Sequence, residues 1–222
     1  GADIITIAVT GGVGSKQGRG AKAHFTDAEM KSIADTAHSL GLKVMAHAHG
    51  ARGIEAAARA GIDSIEHGTY LDEAAARAMK DNGTVLVPTL MAFKGVTERL
   101  GQGIYTPVVE AKIREVADTA RVFMGRALRW GVPIAFGTDA GVFGHGRNAG
   151  EFALMVEQGM SHRDAFASAT TNAARVLGLE NEIGRLAAGY SADIIAVAGN
   201  PLEDTSTLES VDWVMVRGRV IE

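Results

Sequence analysis

Short, continuously apolar runs alternate with stretches whose apolar residues recur at helical spacing. Ile4–Val9, Leu42–His47, Ser64–His67, Thr84–Val87 and Pro133–Thr138 read as strands buried on both faces. The pattern between them predicts helices. The first opens at Thr26 with a capping box closed by Glu29, turns Ile33, Ala37 and Leu40 inward, and stops at Gly41. Others are expected over Arg52–Ala60, Asp72–Asn82 and Pro107–Trp130. Gly150–Gln158, His162–Thr171 (opened by Ser161 with Asp164) and Ala173–Leu177 follow.

Strict strand–helix alternation argues for a parallel sheet with helical crossovers. Two architectures compete. Five strands on their own would suit an open sheet, since a closed barrel needs eight. The polar residues reverse that preference. His47, His67 and Asp139 stand at the C-terminal ends of three different strands, and such ends face one shared site only in a barrel. The expected fold is therefore α/β, the last five units of a (β/α)8 barrel over residues 1–181. Residues 182–222 change character. Ala192–Val197 reads as a strand, and Trp213–Val216 with Arg219–Ile221 as a hairpin turning at Arg217-Gly218, giving a small appended β element.

Composition narrows the function classes. The net charge of −4 provides no basic field for nucleic acid or an anionic membrane. No apolar run approaches the length of a membrane span. The absence of cysteine removes disulfides, thiolate metal sites and thiol nucleophiles. The first residues lack the layout of a signal peptide, so the cytoplasm is the expected compartment. A chain that opens on a core-like strand looks cut from something longer, and an upstream targeting signal stays open.

Imidazoles with a carboxylate form a ligand set suited to zinc and its neighbours. A lone histidine at a strand end is more often hydrogen-bonded structure than a ligand; three suitable groups at three strand ends support one another. The run Thr10-Gly11-Gly12-Val13-Gly14-Ser15-Lys16 invites a phosphate-loop reading but fails the Walker spacing. His24, His38 and His162 are assigned no role.

Four ordered stretches carry a resemblance: Val44-Met45-Ala46-His47-Ala48-His49-Gly50, Gly61–Gly68, Gly137-Thr138-Asp139-Ala140 and Gly189-Tyr190-Ser191-Ala192-Asp193-Ile194. With them the chain resembles the amidohydrolase superfamily, nearest its prolidase-like and Xaa-Pro dipeptidase or carboxypeptidase group. The resemblance implies that His47 and His67 are metal ligands, and that Asp139 is both ligand and general base. It implies substrate contacts at His49, Tyr70 and His145, one or two zinc-like ions, and a small amide, dipeptide or N-acyl amino acid as substrate. Two departures stand out. The family's strand-one His-x-His pair is absent, which implies a missing N-terminal barrel half or completion by another chain, a homo-oligomer included. The family's bridging lysine carbamate has Thr6 in its place, and threonine cannot form a carbamate. The alternatives are a fragment without catalysis of its own, and a mononuclear hydrolase of the deaminase or cyclic-amidase kind.

Overall fold

The computed structural model describes residues 1–13 and 22–221; positions 14–16 of the glycine-rich run lie outside them. Strands β1 (Ile4–Ala8), β2 (Lys43–Ala48), β3 (Ser64–His67) and β4 (Val85–Val87) form one parallel sheet in sequence order. Helix α1 (Asp27–Ser39) links β1 to β2, α2 (Ala51–Ala60) links β2 to β3, and α3 (Glu73–Asn82) links β3 to β4. The order never reverses, so the sheet has no switch point of the open, doubly wound kind. It is an arc of a barrel with its helices outside.

Local chemistry explains the first helices. Thr26 and Glu29 form the expected capping box on α1, and Asp72 caps α3 by accepting the Ala75 N–H at 2.9 Å. Gly61 and Gly83 end α2 and α3 in the left-handed conformation. Alanines dominate the buried side of α2 and α3, and this lets the two helices lie close on the sheet. The expected inward stripe of α1 is corrected at one end. Met30, Ala34 and Ala37 are buried, whereas Leu40 is 70 % exposed because it has left the helix as its C-cap.

The expected fifth strand is also corrected. Residues 133–138 make only one bridge, Leu86 to Ile134, parallel. Leu86 donates to the Pro133 carbonyl and accepts from Ala135 N–H, both at 2.9 Å. Farther along, Phe136 N–H donates to Ser168 O at 3.0 Å, and Ile134 O accepts from Asn172 Nδ2 at 3.1 Å. A helical segment thus satisfies backbone groups that a ladder would otherwise take.

Three helical expectations change. Helix α4 (Leu90–Glu98) was not anticipated. The single helix expected over Pro107–Trp130 is two, α5 (Pro107–Ala120) and α6 (Phe123–Arg129). Gln158 spans the break: its Nε2 donates to Ala120 O at 2.9 Å, and its Oε1 accepts from Met124 and Gly125 N–H at 3.1 and 3.3 Å. Helix α7 (Gly150–Glu157) precedes α8 (His162–Ala167), which passes into a π-helical turn over Ser168–Asn172 before α9 (Ala173–Leu177). Strands β5 (Ile194–Val197), β6 (Val211–Val216) and β7 (Arg219–Ile221) form the expected antiparallel element. The segment before β6 packs back on the helices through buried Thr205, whose N–H donates to His162 Nδ1 at 3.2 Å, and buried Leu208.

Candidate metal centre

The register places His47 beside Glu66 and Ala48 beside His67. Strand partners share a face, so His47 and Glu66 point the same way, and alternation would send His67 to the other side. His67 escapes alternation through its backbone, with φ of 74°. The next residue, Gly68, also has positive φ, and a Cβ there would come within 2.4 Å of Leu86 Cδ1, so only glycine fits this turn. Of the four non-glycine residues with positive φ among those described, three surround this site: His67 ends β3, Thr89 follows β4, and Asp139 follows the extended segment 133–138. Backbone strain of this kind persists only where the surroundings hold it, and it concentrates at functional sites.

The result is a compact group. One ring nitrogen each from His47, His49 and His67 lies within 4.8 Å of the others. The His49 and His67 rings stack at 4.8 Å between centroids, and His47 meets each edge-on at 4.7 and 4.6 Å. His49 Nδ1 lies 2.8 Å from Thr69 Oγ1, and His67 Nδ1 lies 2.7 Å from Thr89 Oγ1. These hydroxyls tie down one nitrogen of each ring and leave Nε2 for another partner. Phe93 closes one side, 6.2 Å from both rings.

Burial disfavours the charged form of all three imidazoles. It pushes His49 down to about 3, with the neighbouring His47 adding to the effect, and it drives His67 well below its ordinary value. His47 is also lowered by its burial, while a hydrogen bond with the Gly11 backbone works against that. Clustered neutral imidazoles are the form that binds a divalent ion, and in His49 and His67 the engaged nitrogen is Nδ1, so Nε2 keeps its lone pair. The residues present therefore fit a metal.

The same cavity, about 180 Å³, is lined by the three histidines, Gly12, Val13, Phe93 and Asp139. Asp139 lies in its wall rather than inside the tight histidine group. It is open to solvent on one side, and partial burial raises its carboxyl. Glu66 is raised further, to about 7, by burial above all and by the charge of Asp139; Ser64 Oγ, 2.7 Å away, opposes the shift. A second cavity of about 240 Å³ shares Gly12, Val13 and His49 with the first and is lined on its far side by Tyr70, Lys112 and Glu115. Burial and Glu115 raise the Tyr70 hydroxyl.

The expected site residues are thus placed as follows. His47 and His67 come together, His49 joins them within ligand distance, Asp139 shares their cavity, and Tyr70 lines the adjoining one. His145 is exposed and lines neither cavity; its loop is held instead by Arg147, paired with Glu98 at 3.0 Å. Thr6 lies in β1 opposite Met45, one same-face step before Ala8, which is paired with His47. Sequence reasoning missed Thr69, Thr89, Glu66 and Phe93. Glu66 lies within the quoted stretch Gly61–Gly68 and Thr69 directly after it, so these two were nearest to a sequence signal.

A partial barrel with a histidine cluster where its strands end is an arrangement of hydrolase type, and comparison gives the family. The amidohydrolase family model matches residues 1–221, and the chain belongs to that family. It is 36 % identical to the ochratoxinase of Aspergillus niger over 211 residues, 94 % of this chain and 43 % of that protein. Among solved structures, a Xaa-Pro dipeptidase with methionine in its active site is 43 % identical, with a TM-score of 0.96 over all of this chain and 55 % of the other. A prolidase complexed with N-methylphosphonate-L-proline is 33 % identical, with a TM-score of 0.93, again over all of this chain and 55 % of the other. The chain thus spans about half the length of the relatives it matches.

Proposed function

We propose that this chain carries part of the active site of a zinc-type hydrolase that cleaves the amide bond of a dipeptide or N-acyl amino acid. The observation that carries the reading is the group of three neutral imidazoles, with ligand atoms within 4.8 Å of one another, in a cavity that also contains Asp139. Similarity to ochratoxinase and to the Xaa-Pro dipeptidase supports the amide-bond class. His47, His49 and His67 would hold the ion, with Asp139 as a further ligand on the open side. When bound, such an ion supplies Lewis acidity toward a carbonyl oxygen and makes water a better nucleophile.

The remaining chemistry belongs to the chain. Asp139 takes a proton as water attacks and delivers it to the departing amine; its raised carboxyl suits a group that both accepts and releases protons. Phe93 and Val142 wall off the cavity from bulk water on one side. Tyr70 offers a hydroxyl to the substrate from the adjoining cavity, where one side of the scissile bond would lie. Thr6 supplies no bridging carboxylate, so the described residues suit one ion at the histidines. Residues 1–181 act in this reading as barrel and 182–222 as an appended β segment. Further strands, from upstream sequence or from another copy, complete the enclosure.

The test is turnover by the full-length protein on a panel of Xaa-Pro dipeptides and N-acyl amino acids, with and without a chelator. Hydrolysis that is lost on chelation and restored by zinc is expected. Turnover indifferent to chelation, or no turnover by zinc-loaded protein across the panel, contradicts the reading.

A further inference from the structure

Helix α4 begins in an unusual way. Its N-cap is Thr89, a residue type that ordinarily caps from extended backbone with its own hydroxyl. Here Thr89 is left-handed (φ 51°, ψ 46°) and makes no side-chain cap. Its hydroxyl lies instead 2.7 Å from His67 Nδ1. The helix's orphan donors are satisfied from elsewhere. Leu90 N–H donates to Glu151 Oε1 at 2.8 Å, and Met91 N–H donates to Glu151 Oε2 at 2.7 Å.

Glu151 stands in the first turn of α7 and is 0 % exposed. A fully buried carboxyl is an expensive way to cap a helix that already has a threonine at its N-cap. The arrangement makes sense if the threonine is needed for something else. With the first two N–H groups taken by Glu151, the Thr89 hydroxyl is free to accept from His67 Nδ1–H. That bond fixes the tautomer with the proton on Nδ1 and leaves Nε2 of His67 as the nitrogen with a free lone pair, in a ring grouped with those of His47 and His49. The same anchoring holds α4 where Phe93 meets the His49 and His67 rings.

We propose that Glu151 is a positioning residue for the histidine centre, acting through Thr89 on the tautomer and orientation of His67. The metal-affinity part of the proposal rests on the reading of the site given above; the tautomer part does not.

The experiment is a double-mutant cycle on the chain with two readouts, zinc affinity by competition titration and the His67 tautomer from ring ¹⁵N shifts in the metal-free protein. Loss of an outer partner of a ligating histidine weakens metal binding by roughly 10- to 100-fold. Glu151→Gln keeps one acceptor but sets an NH2 against the second amide, and is expected to weaken zinc within that range. Thr89→Val should do the same, and Thr89→Ser should stay close to the parent. The double variant Glu151→Gln/Thr89→Val should be no weaker than Thr89→Val alone, because the two act in series. Glu151→Asp, which retains the carboxyl but shortens the reach, serves as the second variant if Glu151→Gln does not fold. In both Glu151 variants His67 should shift from a single Nδ1–H form to a mixture.

A lowered melting temperature with zinc affinity and His67 tautomer unchanged would reduce Glu151 to a structural cap and overturn the proposal. Additive losses in the cycle would overturn it as well. If the parent chain takes up no zinc, the metal reading fails, and the tautomer readout alone then decides whether Glu151 acts through Thr89.

Discussion

The stretch from β2 through α3 and the stretch from β4 through α7 are built by different rules. In the first, each element is specified by its own residues. Asp72 caps α3, Gly61 and Gly83 stop α2 and α3, and Val44, Ala46 and Ala48 alternate cleanly into the core. In the second, local rules give way to distant partners. Thr89 does not cap its own helix, Glu151 caps it from α7, Gln158 bridges the α5–α6 break, and residues 133–138 bond to a π-helical turn. Two of the three strained residues around the site, Thr89 and Asp139, belong to this stretch and lie beside the histidines; the third, His67, ends β3 in the first stretch. Regular structure builds the scaffold, and departures from it mark where the scaffold is bent toward a site.

Substitutions can break or sharpen this contrast. The largest effect is expected at Asp139. In the full-length protein Asp139→Asn should lower kcat by about 10²- to 10⁴-fold, the usual worth of a positioned acid–base group, with much less change in KM. A comparable fall in a cap variant such as Asp72→Ala would erase the distinction between site and scaffold.

Glu66 tests the electrostatics. Burial raises its folded carboxyl to about 7 from the usual 4.5. Its contribution is therefore fully present below about 4.5 and is lost as pH rises toward 7. Glu66→Gln has no such loss, so in metal-free protein its stability relative to the parent should grow across that window, by up to about 3 kcal/mol. Urea denaturation at several pH values measures this, and parallel profiles would contradict it.

Glycines probe the backbone. Gly68→Ala must tolerate both positive φ and a clash with Leu86, and should cost about 2–3 kcal/mol. Gly61→Ala meets positive φ but no atom within 4 Å, and should cost about 1 kcal/mol. Equal costs would mean that Leu86 yields freely. The smallest effects are expected at the scaffold caps. Thr26→Ala and Asp72→Ala should each cost about 1 kcal/mol of unfolding free energy and leave zinc affinity unchanged.

The difference between the two stretches also explains what the sequence reveals. Period, caps and glycine stops are local, so α1, α2, α3 and the β6–β7 hairpin could be placed from the residues alone. Helix α4 could not, because its start depends on a carboxylate 60 residues away and its own N-cap residue is in an atypical conformation. The break after Ala120 was hidden for the same reason, since Gln158 stabilises it from across the fold. In the site, His47, His67 and Asp139 were legible as polar endings to apolar runs. His49 was legible as a nearby polar residue but not as a neighbour of His67, because that contact depends on the φ of 74° at His67. The threonine partners of the imidazoles become visible only once the strand ends converge.

The most direct test of the central claim is the metal content of the purified, reconstituted chain by elemental analysis, beside His67→Ala. A centre built by His47, His49 and His67 predicts about one zinc or similar divalent ion per parent chain, and none above background in the variant, which removes one of the three histidine ligands. Equal metal in both proteins, or none in the parent after reconstitution, would contradict it.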